Sequence, residues 1–233
     1  MPTLPTAVLV HGAFHGPWCW DRVVPLLDAR GIRTIAADRG VGSPRRVSSD
    51  DRVDDRITRA AIEEAGGPVV LVGHSQGGRA ITWAGVDNSA VRHLIYLTAV
   101  VPGTVATVVP PSSAAAFVRT DWGITLDLPA ATAAFYNDCS PADIAHATAR
   151  LDGQADTIDR STPYERYGWQ QVPSTFVVCT LDRAITPENQ RACAAAIDPP
   201  CEVIEFESGH SPFYSMPDRL ADLIEATASR YAE

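Results

Sequence analysis

The feature that most constrains the fold is a serine set among glycines where a predicted strand meets a predicted helix. The segment reads Gly73-His74-Ser75-Gln76-Gly77-Gly78. It directly follows the apolar run Val69 to Val72 and directly precedes a helical pattern from Arg79. Glycines lacking side chains let strand and helix approach closely, so we predict a strained turn that holds the Ser75 hydroxyl at the carboxyl edge of a sheet. An ordinary glycine–serine turn is the alternative.

Short apolar runs alternate with helical patterns on both sides of this turn. Strands are predicted at Ala7 to Val10, Ile32 to Ala37, Val69 to Val72, Val91 to Leu97, Ser174 to Cys179 and Cys201 to Phe206. Helices are predicted at Trp18 to Ala29, Asp51 to Ala65, Arg79 to Val86, Pro141 to Leu151, Pro187 to Ile197 and Pro217 to Tyr231. Such alternation is typical of an α/β fold with a mostly parallel central sheet flanked by helices.

The alternation stops between about residues 102 and 171, a segment rich in alanine, proline, threonine and aromatic residues. This segment is too apolar for a solvated linker. We interpret it as a short, mostly helical cap, inserted before the strand at Ser174, in a single domain that covers residues 1–233. We expect the cap to supply only the roof of the site, while the loops of the sheet supply the chemistry.

Charge and composition exclude several classes of function. The net charge is −9 and all 19 basic residues are arginine. An acidic chain is a poor match for nucleic acid or an anionic membrane, and a chain without lysine forms no Schiff base. No apolar stretch is long enough to span a membrane, and no early basic, apolar leader is present, so we expect a cytoplasmic protein. The five cysteines show no metal-binding spacing; whether Cys193 and Cys201 pair is left open.

A serine nucleophile needs a base, and the base needs a carboxylate to orient it. His210 follows the last predicted strand in Ser208-Gly209-His210, from where it can reach the turn at Ser75. Asp182 follows the strand at Ser174 to Cys179 and is our choice of acid. Glu207 is the rival, but it lies on the same strand end as His210 and would have to fold back.

Two backbone amides are expected to stabilise the negative charge that develops on the substrate oxygen. One is the amide of Gln76, next to the nucleophile. The other is the amide of Ala13, in the loop after the first strand. An ordinary strand-ending turn is the alternative for this loop when it is taken alone.

The chain resembles a known family at several separate motifs. The segment His11-Gly12-Ala13-Phe14-His15-Gly16-Pro17-Trp18-Cys19-Trp20 is similar to the signature of the plant methylesterase and hydroxynitrile lyase branch of the α/β-hydrolases, which has bacterial esterase relatives. The similarity extends to the turn at Ser75, to the segment from Cys179 to Pro187, and to Gly209-His210. The order Ser75, Asp182, His210 is also that of the α/β-hydrolases. The resemblance implies a helical cap, small apolar or aromatic esters, no metal and no cofactor; this cap is shorter than the family norm.

Aromatic side chains are candidates for contact with the substrate, because apolar pockets are the usual ligand sites. The candidates are Phe14, Trp122, Phe135, Tyr164 and Phe213. For the cap aromatics, plain packing is the alternative to substrate contact. Arg39 and the pair Arg45-Arg46 are interpreted as a solvated face.

Three classes of function remain to be compared. The first is a serine esterase that cleaves a small-molecule ester through an acyl-enzyme, with lactones and thioesters obeying the same logic. The second is a hydroxynitrile lyase, which the family resemblance implies would need a lysine beside the base and a threonine in the first loop; Ser211 and Gly12 stand there instead. The third is a ligand-binding receptor on a hydrolase scaffold. A homodimer is left open.

Overall fold

The protein is built around one parallel sheet that is buried on both faces. The computed structural model describes residues 3–39, 53–155 and 165–233. Its strands are β1 (Thr6–Val10), β2 (Thr34–Ala37), β3 (Val69–His74), β4 (Val91–Leu97), β5 (Phe117–Arg119), β6 (Gly123–Leu126), β7 (Gln154–Ala155), β8 (Ser174–Cys179) and β9 (Glu202–Phe206). Six of them form the central sheet in the order β2-β1-β3-β4-β8-β9, with parallel pairing throughout. The predicted fold class is confirmed.

The helices follow the predicted alternation, with one exception near the N-terminus. They are α1 (Val24–Ala29), α2 (Val53–Ala65), α3 (Gly77–Ala84), α4 (Pro111–Ala114), α5 (Leu128–Phe135), α6 (Pro141–Thr148), α7 (Pro187–Ala195), α8 (Pro212–Ser215) and α9 (Pro217–Ser229). The prediction of a single helix from Trp18 to Ala29 is wrong. A 3-10 helix at Pro17–Trp20 precedes α1, and Pro25 stands in the first turn of α1, where a missing N–H is tolerated.

Successive residues of the inner strands point to opposite faces of the sheet, and both faces are buried. On β1, Ala7 and Leu9 pack into the core on one side, while Val8 and Val10 pack into the core on the other. This is the physical reason that the strands are continuous apolar runs rather than alternating ones. Because all six strands run the same way, their carboxyl ends lie at one edge, where their loops meet.

The cap between β4 and β8 contains strands as well as helices. A three-stranded antiparallel sheet, in the order β5-β6-β7, accompanies the short helices α4, α5 and α6. The predicted short helices are present, and the small sheet is an addition that the prediction lacked. Val118, Ile124 and Thr125 are β-branched and flank the turn around Asp121, a pattern that favours a hairpin.

Some expectations concern residues that this structure does not describe. Tyr164, Arg45 and Arg46 lie outside the described residues. All five cysteines are free, including Cys193 and Cys201, which had been left open. Within the described ranges, no helix is both long and apolar enough to cross a membrane.

Candidate active site

Ser75 occupies a strained turn between β3 and α3. Its φ angle is +50°, in the left-handed region that a residue with a side chain rarely adopts. The backbone there is held by hydrogen bonds: the Ser75 amide donates to the Leu97 carbonyl, and the Ser75 carbonyl accepts from the amides of Gly78 and Val100. A Cβ at Gly77 would lie 2.4 Å from the Val10 carbonyl oxygen, so only glycine lets α3 start this close to β1. The turn therefore presents the Ser75 hydroxyl at the carboxyl edge of the sheet.

His210 and Asp182 form a buried hydrogen-bonded pair at the same edge. The Nδ1–H of His210 donates to Asp182 Oδ2 at 2.8 Å. Because this bond uses Nδ1–H, the neutral ring presents Nε2 as its proton acceptor, as a base beside a serine requires. The Asp182 residue is 5% exposed and His210 is also buried, so water competes little for the bond. Glu207, the rival acid, is exposed.

Asp182 accepts hydrogen bonds on both carboxylate oxygens besides the one from His210. The amides of Ala184 and Ile185 donate to Oδ1 at 2.7 and 3.0 Å. Gln190 Nε2 donates to Oδ2 at 3.0 Å, and Thr98 Oγ1 donates to the same oxygen at 2.5 Å. These donors satisfy a buried carboxylate and hold it in one orientation toward the imidazole.

Thr98 and Gln190 are site residues that sequence reasoning missed. Thr98 directly follows β4 and donates a hydrogen bond to the Asp182 carboxylate. Its φ of +40° is a costly conformation for a β-branched residue. Gln190 is fully buried in α7, one turn after the Asp182 loop, and also holds the Cys179 amide and the Ile185 carbonyl. A glutamine at a buried position of that helix was the sequence feature that could have indicated this role.

The two expected oxyanion donors belong to loops at the carboxyl edge of the sheet. Within the described part of the chain, neither the Ala13 amide nor the Gln76 amide donates to another protein group. Both residues line the cavity that Ser75 faces. Gln76 also directly precedes α3, where the helix dipole favours negative charge. The two amides are therefore available to a substrate oxygen.

Arg39 is buried behind these donors, which corrects its interpretation as part of a solvated face. The residue is 3% exposed. Its Nη1 donates to the His11 carbonyl at 2.8 Å and its Nη2 to Gln76 Oε1 at 3.2 Å. The guanidinium thus links the loop that carries one oxyanion donor to the side chain of the other. Burial and the nearby Arg39 charge lower the pKa of His11 to about 3, so His11 is neutral.

His15 joins the same loop to the cap. Its Nδ1–H donates to the Ala13 carbonyl at 2.7 Å, and its Nε2 accepts from the Tyr136 hydroxyl at 2.7 Å. Burial lowers the pKa of His15 to about 4, which matches a neutral ring that donates on one side and accepts on the other. His74, the last residue of β3, donates from Nε2 to the His210 carbonyl at 2.9 Å and so helps to hold the loop that carries His210.

The cap holds the catalytic loops as well as covering them. Besides Tyr136, Asn137 Nδ2 donates to the Leu181 carbonyl at 3.1 Å, beside the acid. Asp138 Oδ2 accepts from the Gly209 amide at 2.7 Å, beside the base. The expectation that the cap supplies only the roof is therefore wrong. The reason is that residues 136–138, which we call the clamp, follow α5 directly and descend to the edge of the sheet.

A cavity of about 700 Å³ opens above Ser75 and His210. That volume is in the range of small-molecule sites. Of the expected substrate contacts, Phe14 and Phe135 line the cavity. Trp122 and Phe213 are absent from its described lining: the Trp122 ring lies against Gly153, and Phe213 packs edge-on against His74 and Trp20 in the core. The segment from Val100 to Thr107 forms one wall, and Phe117 and Ile124 belong to the cap side.

The arrangement supports nucleophilic acyl transfer. It combines a serine in a strained turn, an imidazole oriented by a carboxylate, and two free amides at one end of an apolar cavity. Among the described residues, no group of three or more His, Cys, Asp or Glu side chains is arranged to hold a metal ion.

Comparison with known proteins places the chain in a family. Residues 7–223 match the sequence model of the alpha/beta hydrolase family. The chain is 31% identical to a pyrethroid hydrolase from Sphingobium wenxiniae, over 99% of this chain and 90% of that protein. It is 27% identical to Methylesterase 3 of Arabidopsis thaliana, over 97% of this chain and 96% of that protein.

Solved structures agree with the sequence comparisons. The crystal structure of a pyrethroid hydrolase from Sphingobium faniae superposes with a TM-score of 0.83 at 28% identity, covering 97% of this chain and 98% of that one. A methylesterase from Arabidopsis superposes with a TM-score of 0.79 at 24% identity, covering 97% and 100%, which shows the fold alone. With the strand order, the serine turn and these matches taken together, the chain belongs to the alpha/beta hydrolase family.

Proposed function

We propose that this carboxylic ester hydrolase cleaves small, mainly apolar esters in two steps, through an acyl-enzyme formed on Ser75. The observation that carries the proposal is the buried His210–Asp182 pair, whose imidazole faces the same cavity as the strained Ser75. A histidine with only a structural role needs no oriented tautomer beside a serine that lines a cavity, whereas a general base does.

Each chemical step has a residue to perform it. Ser75 Oγ attacks the ester carbonyl carbon while His210 Nε2 takes the hydroxyl proton, and Asp182 stabilises the resulting imidazolium. The amides of Ala13 and Gln76 hold the carbonyl oxygen as it becomes negative. His210 then protonates the leaving alcohol. Water, deprotonated by His210, attacks the acyl carbon; the bond to Ser75 Oγ then breaks, His210 returns the proton to that oxygen, and the acid leaves.

The proposed substrate class follows from the cavity and from the names of the relatives. The walls beside the serine are mostly apolar, with aromatic rings from Phe14, Phe117 and Phe135. The relatives include a pyrethroid hydrolase, several methylesterases and a carbendazim hydrolyzing esterase from Nocardioides. Lactones and thioesters share the same chemistry. The cytoplasmic location and the homodimer stay predictions.

The test combines turnover with a covalent label. The purified protein is assayed against p-nitrophenyl esters from acetate to bulky aryl acids, and is treated with a fluorophosphonate before peptide mapping. We expect turnover across the panel and an adduct on Ser75 that is absent from Ser75→Ala. An adduct on another residue would overturn the assignment of the nucleophile. Tight ester binding without turnover would instead favour the receptor alternative.

A further inference from the structure

The side-chain oxygen of Gln154 is a buried polar atom, without a hydrogen-bond partner among the described residues, in the wall of the cavity. Gln154 is 8% exposed, and its Oε1 receives no hydrogen bond from the protein. The residue lines the same cavity as Ser75 and His210. Buried polar side chains are nearly always hydrogen-bonded, because an unmet one destabilises the fold. The unpaired Gln154 oxygen at the cavity wall therefore indicates that a bound ligand supplies its hydrogen-bond donor.

The backbone places Gln154 close to the loop that carries the Ala13 amide. Gln154 stands in β7 opposite Ile124 of β6, and both residues line the cavity, so they share its face of the cap sheet. Two residues earlier, the Asp152 amide donates to the Phe14 carbonyl at 3.1 Å. Two residues of extended chain span about 7 Å. Gln154 therefore lies in the cap wall of the cavity that Ser75 lines, two residues along the chain from a hydrogen bond to the loop that carries Ala13.

The surroundings of Gln154 select the kind of group that it can bind. Its neighbours in the cavity include the apolar side chains of Phe117, Ile124 and Phe135. The described lining contains two arginines, Arg79 and Arg119, and no carboxylate, which disfavours a cationic ligand. A carboxamide oxygen accepts from an uncharged O–H or N–H. The matching ligand group is a neutral hydrogen-bond donor on an otherwise apolar molecule.

We propose that Gln154 determines specificity by accepting a hydrogen bond from a hydroxyl or amide N–H on the substrate, at a distance from the ester group. The substrates that the enzyme prefers are then apolar esters that carry one such donor. This inference rests on the proposed ester hydrolysis at Ser75. It adds a preference for one polar group on the substrate, which apolar walls alone would not create.

The experiment compares matched esters with and without the donor. The p-nitrophenyl esters of hydroxyphenylacetic acids, with the hydroxyl ortho, meta or para, are each compared with the corresponding methylphenylacetate. A second set places the same substituents on the phenol of phenyl acetates. For the wild type we expect kcat/KM to favour the hydroxyl ester in at least one position, and Gln154→Leu to lower that ratio by about tenfold.

A matched control and a stability measurement separate recognition from folding. Thr125→Val also removes one polar group from the cap sheet, but Thr125 is absent from the described lining of the cavity, so the hydroxyl-to-methyl ratio should stay the same. Gln154→Leu replaces a buried polar group whose oxygen has no partner with an apolar side chain. Its melting temperature should therefore be no lower than that of the wild type. A lower melting temperature with equal losses on both esters would mean that Gln154 supports the fold, and would overturn the proposal.

The outcomes also distinguish this inference from the proposed function. If the wild type hydrolyses no ester in the panel, ester hydrolysis itself fails. If the wild type turns over the methyl and hydroxyl esters and Gln154→Leu leaves their ratio unchanged, ester hydrolysis stands and the role of Gln154 is refuted. A ratio that falls with Gln154→Leu and not with Thr125→Val supports both.

Discussion

The loops of the central sheet and the cap meet at one cavity, but they contribute to it in different ways. The sheet side provides Ser75, Asp182 and His210, each at or just after the carboxyl end of a strand. The cap provides apolar wall from Phe117 and Phe135, the Gln154 side-chain oxygen that has no partner among the described residues, and the clamp at residues 136–138. In the proposed mechanism the sheet carries the reacting groups, while the cap shapes the space around them and hydrogen-bonds to their loops.

The difference teaches that a cap residue can affect either the rate of the reaction or the choice of substrate. Which of the two it affects depends on whether it contacts the loops of the acid and base or lines the cavity. The clamp hydrogen-bonds to the backbone beside the acid and the base, so its loss should slow every substrate alike. The roof side chains line the cavity, where a substrate would contact them, so their loss should mainly change the ranking of substrates. Four substitutions test this division, beginning with the sheet side.

The largest effect is expected from removing the nucleophile. Ser75→Ala deletes one partly exposed hydroxyl and no core contact, so the fold should persist while kcat falls by about 10³-fold or more. Activity is measured on an acetate ester, and folding is checked by the melting temperature. Full activity in Ser75→Ala would place the chemistry elsewhere and remove the basis of the comparison.

Asp182→Asn should cost nearly as much as the loss of Ser75. An asparagine favours the wrong tautomer of His210 and cannot stabilise the imidazolium, so kcat should fall by about 10³-fold. The matched control is Glu207→Gln, because Glu207 is exposed and lies two residues from Gly209. Loss of activity in Glu207→Gln with activity kept in Asp182→Asn would show that the acid was wrongly chosen.

The clamp should affect small and bulky substrates equally. Asp138→Ala removes the acceptor of the Gly209 amide and loosens the loop of His210, for an expected 10- to 100-fold loss of kcat/KM on both an acetate and an aryl ester. Asp121→Ala, a change of the same kind at an exposed cap position, serves as control. A loss confined to the aryl ester would mean that the clamp belongs to the roof.

The roof should affect bulky substrates most. Phe117→Ala removes an aromatic wall of the cavity, and we expect about a 5- to 30-fold loss of kcat/KM on a bulky aryl ester with little change on an acetate. Trp122→Phe is the comparison, because Trp122 packs on Gly153 away from the described cavity lining and should leave the ratio of the two esters unchanged. Equal losses on both esters in Phe117→Ala would erase the distinction between roof and clamp.

Local patterns were enough to find the parallel sheet and the order of its elements. Buried strands such as β3 and β4 are short apolar runs, and glycine with serine at a strand–helix junction has few alternatives. The cap was harder. Its strands are two to four residues long, and their pairing joins Ile124 to Gln154 across 30 positions, so no local period marks them.

By itself, the sequence determined the α/β class and the turn at Ser75, because these follow from residues adjacent in the chain. It also predicted His210 as base and Asp182 as acid, from the rule that parallel strands end at one edge. Only the tertiary structure decided that Arg39 is buried behind the oxyanion donors, that Thr98 and Gln190 hold the acid, and that the clamp reaches the catalytic loops. These are hydrogen bonds between segments far apart in the chain. Their partners are chosen by packing, which composition and periodicity do not encode.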